Sequence, residues 1–476
     1  MNKYKNLKLT KALAQAAALI LCVAASACRP DKQAHQTPAL NSLAIALAPQ
    51  PGDDRSAKEI ARIQKQIRDG RNTAAAIEQL GWLYVAKART SFDPGFYKLA
   101  EQCALAIEVK QPHKPEALLL RGHVLQSLHR FKEAEPLARE LTAQRGRAFD
   151  FGLLGDVLME QGRLDEAVVA YQQMADIKPD LHAYTRAAHV RWLKGDLEGA
   201  IEMMQMAVQA ASPHDAESAA WVYAHMSLYQ LQAGDFEESL RYTDAALTFQ
   251  TNYPPALLVR GKVQLAQGKN SEAVSSLTLA EAGNPLPEYQ WTLAEALRAA
   301  DRGTEAAQIE HTLKERGAVS DPRTFALYLS TSGADTATSL RLACEELETR
   351  RDVFTYDAVA WSLAAAGRWS EAGTNIQCAL AEGTQDARLF FHAGIIASEN
   401  AQPTQAERYL RQAAALQQML LPSEKARLMN CASRLGLNLS TSAAVARNNF
   451  SEQQVLLKDE KQQTKQTNKT TGISSL

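Results

Sequence analysis

From residue 72 to about residue 419 the apolar side chains recur at helical spacing, in short stripes broken by polar turns. The stretch FGLLGDVLMEQGRLDEAVVAYQQMADIKP, residues 151–179, shows the grammar of one unit. Gly155 leaves room for a second helix to approach, Gly162 marks the turn, Ala167 falls at the helix crossing, and Tyr171 with Met174 continues the second apolar face. Pro179 ends the pair, because it has no backbone N–H to donate and its ring clashes with the preceding turn. The spacing predicts two antiparallel helices per unit.

The unit repeats. A small residue at the crossing position recurs at Ala100, Ala134, Ala167, Ala200, Ser239, Ala273, Ala306, Ala372 and Ala406, at intervals of 33 or 34 residues except for one of 39 and one of 66. The interval of 66 is two periods, with a degenerate unit near Ser339 between them; that of 39 reads as a lengthened loop in AASPHDAESA. AKARTSFDPGF lengthens the turn of the first unit, after Leu80-Gly81 and Tyr84. Residues 321–350 lack a clean aromatic and glycine pair, and at 287–300 either Gln290 or Trp291 fits the aromatic position. One helix pair cannot bury both of its apolar faces, so neighbouring units must stack. After Pro422, SEKARLMNCASRLGL predicts a helix that caps the open end of the stack, with Ser423 as its N-cap.

Nine or ten such units in register resemble the tetratricopeptide repeat family over residues 72–419. The short-turn glycines of that family are matched by Gly162, Gly195, Gly234, Gly268 and Gly367, while His129, Asp301 and Ala401 depart from the pattern. Its close-packed position on the first helix is matched by Gly81, Gly122, Gly155, Ala188, Ser227, Gly261, Ala294, Ala360 and Gly394. Its large position on the second helix is matched by Tyr171, Met204, Thr243, Leu277, Ile376 and Leu410. The resemblance implies an all-α, right-handed superhelical solenoid of antiparallel helix pairs, with the first helices lining a concave groove. Carried over by position, it nominates His123, Asp156, Thr185, His189, Trp192, Leu228, Leu258 and Lys262 as lining for an extended peptide with apolar side chains. Trp192 is the candidate anchor, and packing between repeats is the competing role for the same ring.

The two ends read differently. MNKYKNLKLTK is basic, and the apolar stretch ALAQAAALILCVAASA that follows is short and alanine-rich, as in a cleaved export signal. It ends in Ala25-Ser26-Ala27-Cys28, which resembles a bacterial lipoprotein signal whose Cys28 sulfur would receive diacylglycerol and whose amino terminus would take a fatty acid such as palmitate. The same Ala-x-Ala also fits an ordinary cleavage site that releases an unlipidated product. With Arg29 and no Asp after Cys28, the resemblance favours an outer-membrane lipoprotein facing the periplasm, the alternative being a periplasmic or secreted protein. The expected organisation is an export signal at 1–27, a lipidated start and tether at 28–54, the array and its cap at 55–435, and a flexible polar tail at 436–476.

Composition narrows the function. Lys+Arg 52 against Asp+Glu 53 leaves no basic excess, so no specific nucleic-acid partner is expected. There is no C-x-x-C pair, H-E-x-x-H, G-x-S-x-G or phosphate-binding loop, and no cofactor or metal site is expected. His123 and His189 stand two units apart, without the cluster of ligands a metal or catalytic centre requires. Cys344 and Cys378 occupy equivalent places in consecutive second helices, where a disulfide and two small packed side chains are both open. The reading is a non-enzymatic exported scaffold that binds an envelope protein or extended peptide. An accessory factor or divergent enzyme in peptidoglycan processing, and a structural periplasmic spacer, are the alternatives.

Overall fold

The computed structural model describes residues 40–71 and 73–439; the export signal, Cys28 and nearly all of the polar tail lie outside them. Among the described residues there are 23 α-helices and no strand. Helices α1 (Leu40–Ala46) and α2 (Arg55–Arg68) precede the array. The first five units are α3 and α4 (Ala74–Ser91, Gly95–Lys110), α5 and α6 (Pro115–Ser127, Phe131–Gln144), α7 and α8 (Ala148–Glu160, Leu164–Ile177), α9 and α10 (Leu181–Leu193, Leu197–Ala210), and α11 and α12 (Ala216–Ala233, Phe236–Phe249). The next three are α13 and α14 (Pro254–Ala266, Asn270–Gly283), α15 and α16 (Pro287–Ala299, Gly303–Ser320), and α17 and α18 (Pro322–Ser332, Thr336–Thr349). The last two are α19 and α20 (Val353–Ala365, Trp369–Leu380) and α21 and α22 (Ala387–Glu399, Pro403–Ala415), and α23 (Pro422–Arg434) ends the body. Each first helix packs on its own second helix, and each second helix on the next unit.

Local chemistry starts and stops these helices. Asp180, Asp196 and Asp352 accept hydrogen bonds from first-turn N–H groups, and Pro115, Pro254 and Pro287 occupy first-turn positions where no donor is needed. The turn glycines adopt φ of 73° to 80°. His129, Asp301 and Ala401 take the same left-handed conformation, so three turns form without glycine and carry the strain. Ala167 is fully buried, and a Cβ on Gly155 would collide with the Tyr171 ring, which is how the small and large positions fit one another.

The irregular places resolve physically. Residues 40–48, read above as tether, pack on the body: Ala46 is buried, its carbonyl accepts from Tyr84 Oη at 2.6 Å, and Gln64 Nε2 donates to Ala48 at 2.9 Å. The apolar LNSLAIAL has enough surface to dock, so among the described residues this stretch belongs with the packed body. The degenerate unit is α17 and α18, turning at Gly333. Buried Ser330, Ser339 and Ser362 pair there through their hydroxyls at 2.6 to 3.2 Å in place of a glycine and ring. Both Gln290 and Trp291 are buried: Gln290 donates to Glu281 at 3.1 Å, while Trp291 meets Tyr328 edge-on at 5.9 Å. Ser423 does not cap α23; Leu421 does, and Ser423 instead bonds Glu295 of α15 through N–H and hydroxyl at 3.0 and 2.6 Å. Cys103, Cys344, Cys378 and Cys431 are free, the first and last buried and the middle two exposed.

The superhelix is tight enough to meet itself. Glu160 O, at the turn of the third unit, accepts from Arg351 N at 3.2 Å, and the Glu160 carboxylate pairs with Arg350. One unit further along on each side, Leu193 O accepts from Thr384 Oγ1 at 2.6 Å and Lys194 pairs with Glu382 at 2.6 Å. In the next, Gln232 donates to Gln385 O and accepts from Gln418 at 2.8 Å through its own carbonyl. Turns of units three to five are thereby fastened to loops that follow units eight to ten.

Candidate functional site

Two irregularities of the repeat period face each other in space. Helix α3 has 18 residues and ends at Phe92, which holds φ 53°; helix α11 also has 18, where the neighbouring first helices have 13. The extra length in AASPHDAESA is thus only partly loop, at residues 211–215, and the rest extends α11 at its N-terminus. Arg89 near the end of α3 pairs with Glu217 at the start of α11. Phe92 packs on the cluster of Ala220, Ala224, Ala246, Tyr253 and Ala256, with its ring 6.5 Å from Tyr253. The first unit is fastened to the fifth and sixth, and the first helices of units one to five surround a cavity of about 830 Å³.

Aromatic and apolar side chains dominate its wall, among them Trp82, Tyr97, Leu119, Phe149, Met159 and Trp221. Its cations are paired: Arg186 donates to both Asp156 oxygens at 2.7 and 2.5 Å, where Tyr171 Oη also donates at 2.9 Å, and Arg89 pairs with Glu217. Burial drives the imidazoles of His123, His189 and His225 down to about 4, with Asp156 pulling weakly the other way on the first two. All three are neutral at pH 7. His225 stacks on Trp221 at 3.6 Å, and its Nδ1–H donates to Trp221 O at 2.9 Å, which leaves Nε2 as an acceptor. His123 tilts against Trp82 at 5.5 Å.

The positions nominated from sequence separate into two sets. His123, Asp156, Thr185 and His189 line this cavity together. Trp192, Leu228, Leu258 and Lys262 lie outside its wall. Trp192 stacks on Phe354 at 5.7 Å and donates from Nε1 to Gln232 at 2.7 Å, so the nominated anchor belongs to the seam between successive turns of the superhelix. Leu228 packs beside Leu231 and Val259, Leu258 is buried among helices α13 to α16, and Lys262 pairs with Glu288 at 2.6 Å. Asp156 is occupied by Arg186 and Tyr171 rather than free to orient a ligand. Trp82 escaped notice, although it follows Gly81 as His123 follows Gly122 and could have been found by extending the register back one unit. Trp221 stands six residues before Ser227 as Phe149 stands before Gly155 and His182 before Ala188, and His225 two before it as Leu153 and Arg186 do, so carrying the register forward one unit would have found both.

The neutral histidines set a pH dependence. Their folded values lie below the ordinary 6.5, so between about 4 and 6.5 the unfolded chain binds more protons, and their contribution to stability, whole above 6.5, is lost as pH falls toward 4. Glu160, Glu217 and Glu295, raised by burial, act in the opposite sense in acid. Replacing the three histidines with Gln is expected to lessen the drop in melting temperature between pH 7 and pH 5 relative to the parent. NMR titration of the imidazole Cε1–H signals should place their midpoints near 4, and midpoints near 6.5 would show the rings to be solvated.

Helix pairs stacked into a superhelix make a repeat scaffold, an architecture that implies protein binding; among the described residues no group of His, Cys, Asp or Glu is placed to hold a metal ion. Residues 119–182 and 153–216 match the tetratricopeptide repeat family model, two overlapping windows in the second to fourth units of the array. Among solved structures the fold is similar to the human IFIT1 dimer with PPP-AAAA, at 13% identity over 69% of this chain and 78% of that one, with a TM-score of 0.44. It is similar to yeast Tom70 at 14% identity over 83% and 99%, TM-score 0.35, and to a tetratricopeptide repeat protein from Parabacteroides merdae at 19% over 53% and 98%, TM-score 0.30. No curated protein sequence matches the chain.

Proposed function

We propose that the protein is an exported, lipid-anchored scaffold that binds protein partners and assembles a complex in a bacterial cell envelope. The observation that carries this reading is the junction of a basic and apolar leader ending in Ala25-Ser26-Ala27-Cys28 with a tetratricopeptide array that is a protein-binding scaffold. Two or more acyl chains at Cys28 suffice for stable anchoring, since each buried methylene contributes about 0.8 kcal/mol. Residues 29–39 then act as the spacer between lipid and body. No helix among the described residues is long and apolar enough to cross a membrane. Partner binding uses the folded body, whose wall groups are matched internally and leave no dominant charge to select nucleic acid.

Cys28→Ser is expected to abolish incorporation of a labelled fatty acid and to move most of the protein from the membrane to the soluble fraction, with helicity unchanged. Absence of label from the parent, where control lipoproteins incorporate it, would refute the anchor and leave a released protein. Native capture from envelope extracts tests the scaffold reading separately.

A further inference from the structure

A straight groove open at both ends suits an extended chain; a pocket walled by several helices suits something compact. In the first five units the contacts Arg89 to Glu217 and Phe92 to Tyr253 join the first unit to the fifth and sixth, and bend the concave face around a cavity of about 830 Å³. That volume lies within the roughly 300 to 1,000 Å³ of small-molecule sites. We propose that this cavity binds a compact, uncharged molecule with an aromatic body and N–H or O–H donors, a binding activity separate from the scaffold role.

Three features of the wall select that chemistry. First, rings are presented to the space and not only packed beneath it: Phe149 is 45% exposed and touches only His182 among rings, at 5.1 Å, while Trp82 on α3 and Trp221 on α11 also line it. Second, both cations of the wall are already paired, Arg186 with Asp156 and Arg89 with Glu217, while Asp215 caps its own helix through the Ser218 N–H at 3.3 Å. An anionic ligand would leave water without gaining an unmatched cation. Third, neutral imidazoles are among the hydrogen-bonding groups left over. His225 presents Nε2 as a lone pair once Nδ1–H is committed to Trp221 O, and no described group bonds the ring nitrogens of His123 or His189. The His225 acceptor rewards an N–H or O–H on the ligand, and the rings of His123 and His189 each add one acceptor and one N–H.

The test uses the folded chain with N-phenyl-1-naphthylamine, an uncharged two-ring amine with one N–H, followed by its fluorescence and by energy transfer from tryptophan. One saturable site is expected. The sulfonated analogue 1-anilinonaphthalene-8-sulfonate should bind at least about tenfold more weakly, because its anion finds no free cation. Phe149→Ser, at an exposed ring and so without consequence for folding, should weaken the neutral probe about fivefold, the size of one lost aromatic contact. Trp221→Leu should do so by at least as much, with circular dichroism confirming the fold. Val169→Ser, on the second helix of the third unit and 64% exposed, should leave binding unchanged. Non-saturable binding, equal affinity for the anion, or insensitivity to both Phe149→Ser and Trp221→Leu would overturn the proposal. Displacement of the probe by reduced, carboxymethylated α-lactalbumin at similar concentration would also overturn it, showing a site for extended chains and leaving the scaffold reading in place.

Discussion

Gly162→Ala is expected to destabilise the protein well beyond Gly268→Ala, although the two glycines sit at equivalent turns with φ of 76° and 74°. The left-handed backbone costs an alanine about 1 kcal/mol at either turn, and His129, Asp301 and Ala401 show that the fold bears such a cost. The surroundings differ. A Cβ on Gly268 meets nothing within 4 Å, whereas one on Gly162 falls far inside contact distance of the Arg351 carbonyl, on backbone that cannot swing aside. Overcrowding of that kind adds about 1 to 3 kcal/mol. The displaced loop also carries the Arg351 N–H bond to Glu160 O and the ion pair between Arg350 and Glu160, so the fastening between the third unit and the loop after the eighth is lost together. Urea unfolding of the two variants in parallel reads the difference, and small-angle scattering should show Gly162→Ala with the larger radius of gyration. Equal midpoints and equal radii would mean that successive turns of the superhelix do not touch in solution.

The same seam explains what the sequence could and could not disclose. Helix pairing was legible because its determinants are local: Gly155 and Tyr171 lie in one hairpin, and their spacing recurs unit after unit. The degenerate eighth unit was legible by its length alone, since its hydroxyl cluster of Ser330, Ser339 and Ser362 carries no apolar signal. Closure was not legible. It depends on the rotation accumulated over five units, and a small change per unit would carry Trp192 away from Phe354. That is why Trp192, read at a groove position, lies in a seam instead, and why His123, Asp156, Thr185 and His189 came together while Leu258 and Lys262 did not. The two lengthened places, AKARTSFDPGF and AASPHDAESA, were visible as interruptions, and only the fold shows that they are two sides of one contact through Arg89, Phe92 and Glu217.

Leu428→Ala is expected to cost about 2 to 5 kcal/mol, the usual range for emptying a fully buried leucine site, and to loosen units seven to ten while the first five remain protected. A helix that merely covered the end of the stack would couple to the last unit alone. Helix α23 reaches further. Arg427 lies over the Trp361 ring of the ninth unit at 4.7 Å, and Ser423 bonds Glu295 of the seventh. Glu424, fully buried, accepts from Arg388 of the tenth at 2.7 Å and from the Leu421 N–H at 2.9 Å. Arg388 in turn covers Trp291 of the seventh unit at 5.0 Å. Leu428, Cys431 and Ala432 join Trp291, Trp361 and Phe391 in one apolar cluster, so the concave face that stays hollow in the first half is filled in the second. Hydrogen exchange followed by mass spectrometry should therefore show faster exchange across α15, α19 and α21 in the variant, with α5, α7 and α9 near parental rates. Faster exchange confined to α22 and α23 would reduce the helix to an end cap, and uniform acceleration along the chain would show that the array opens as a single unit.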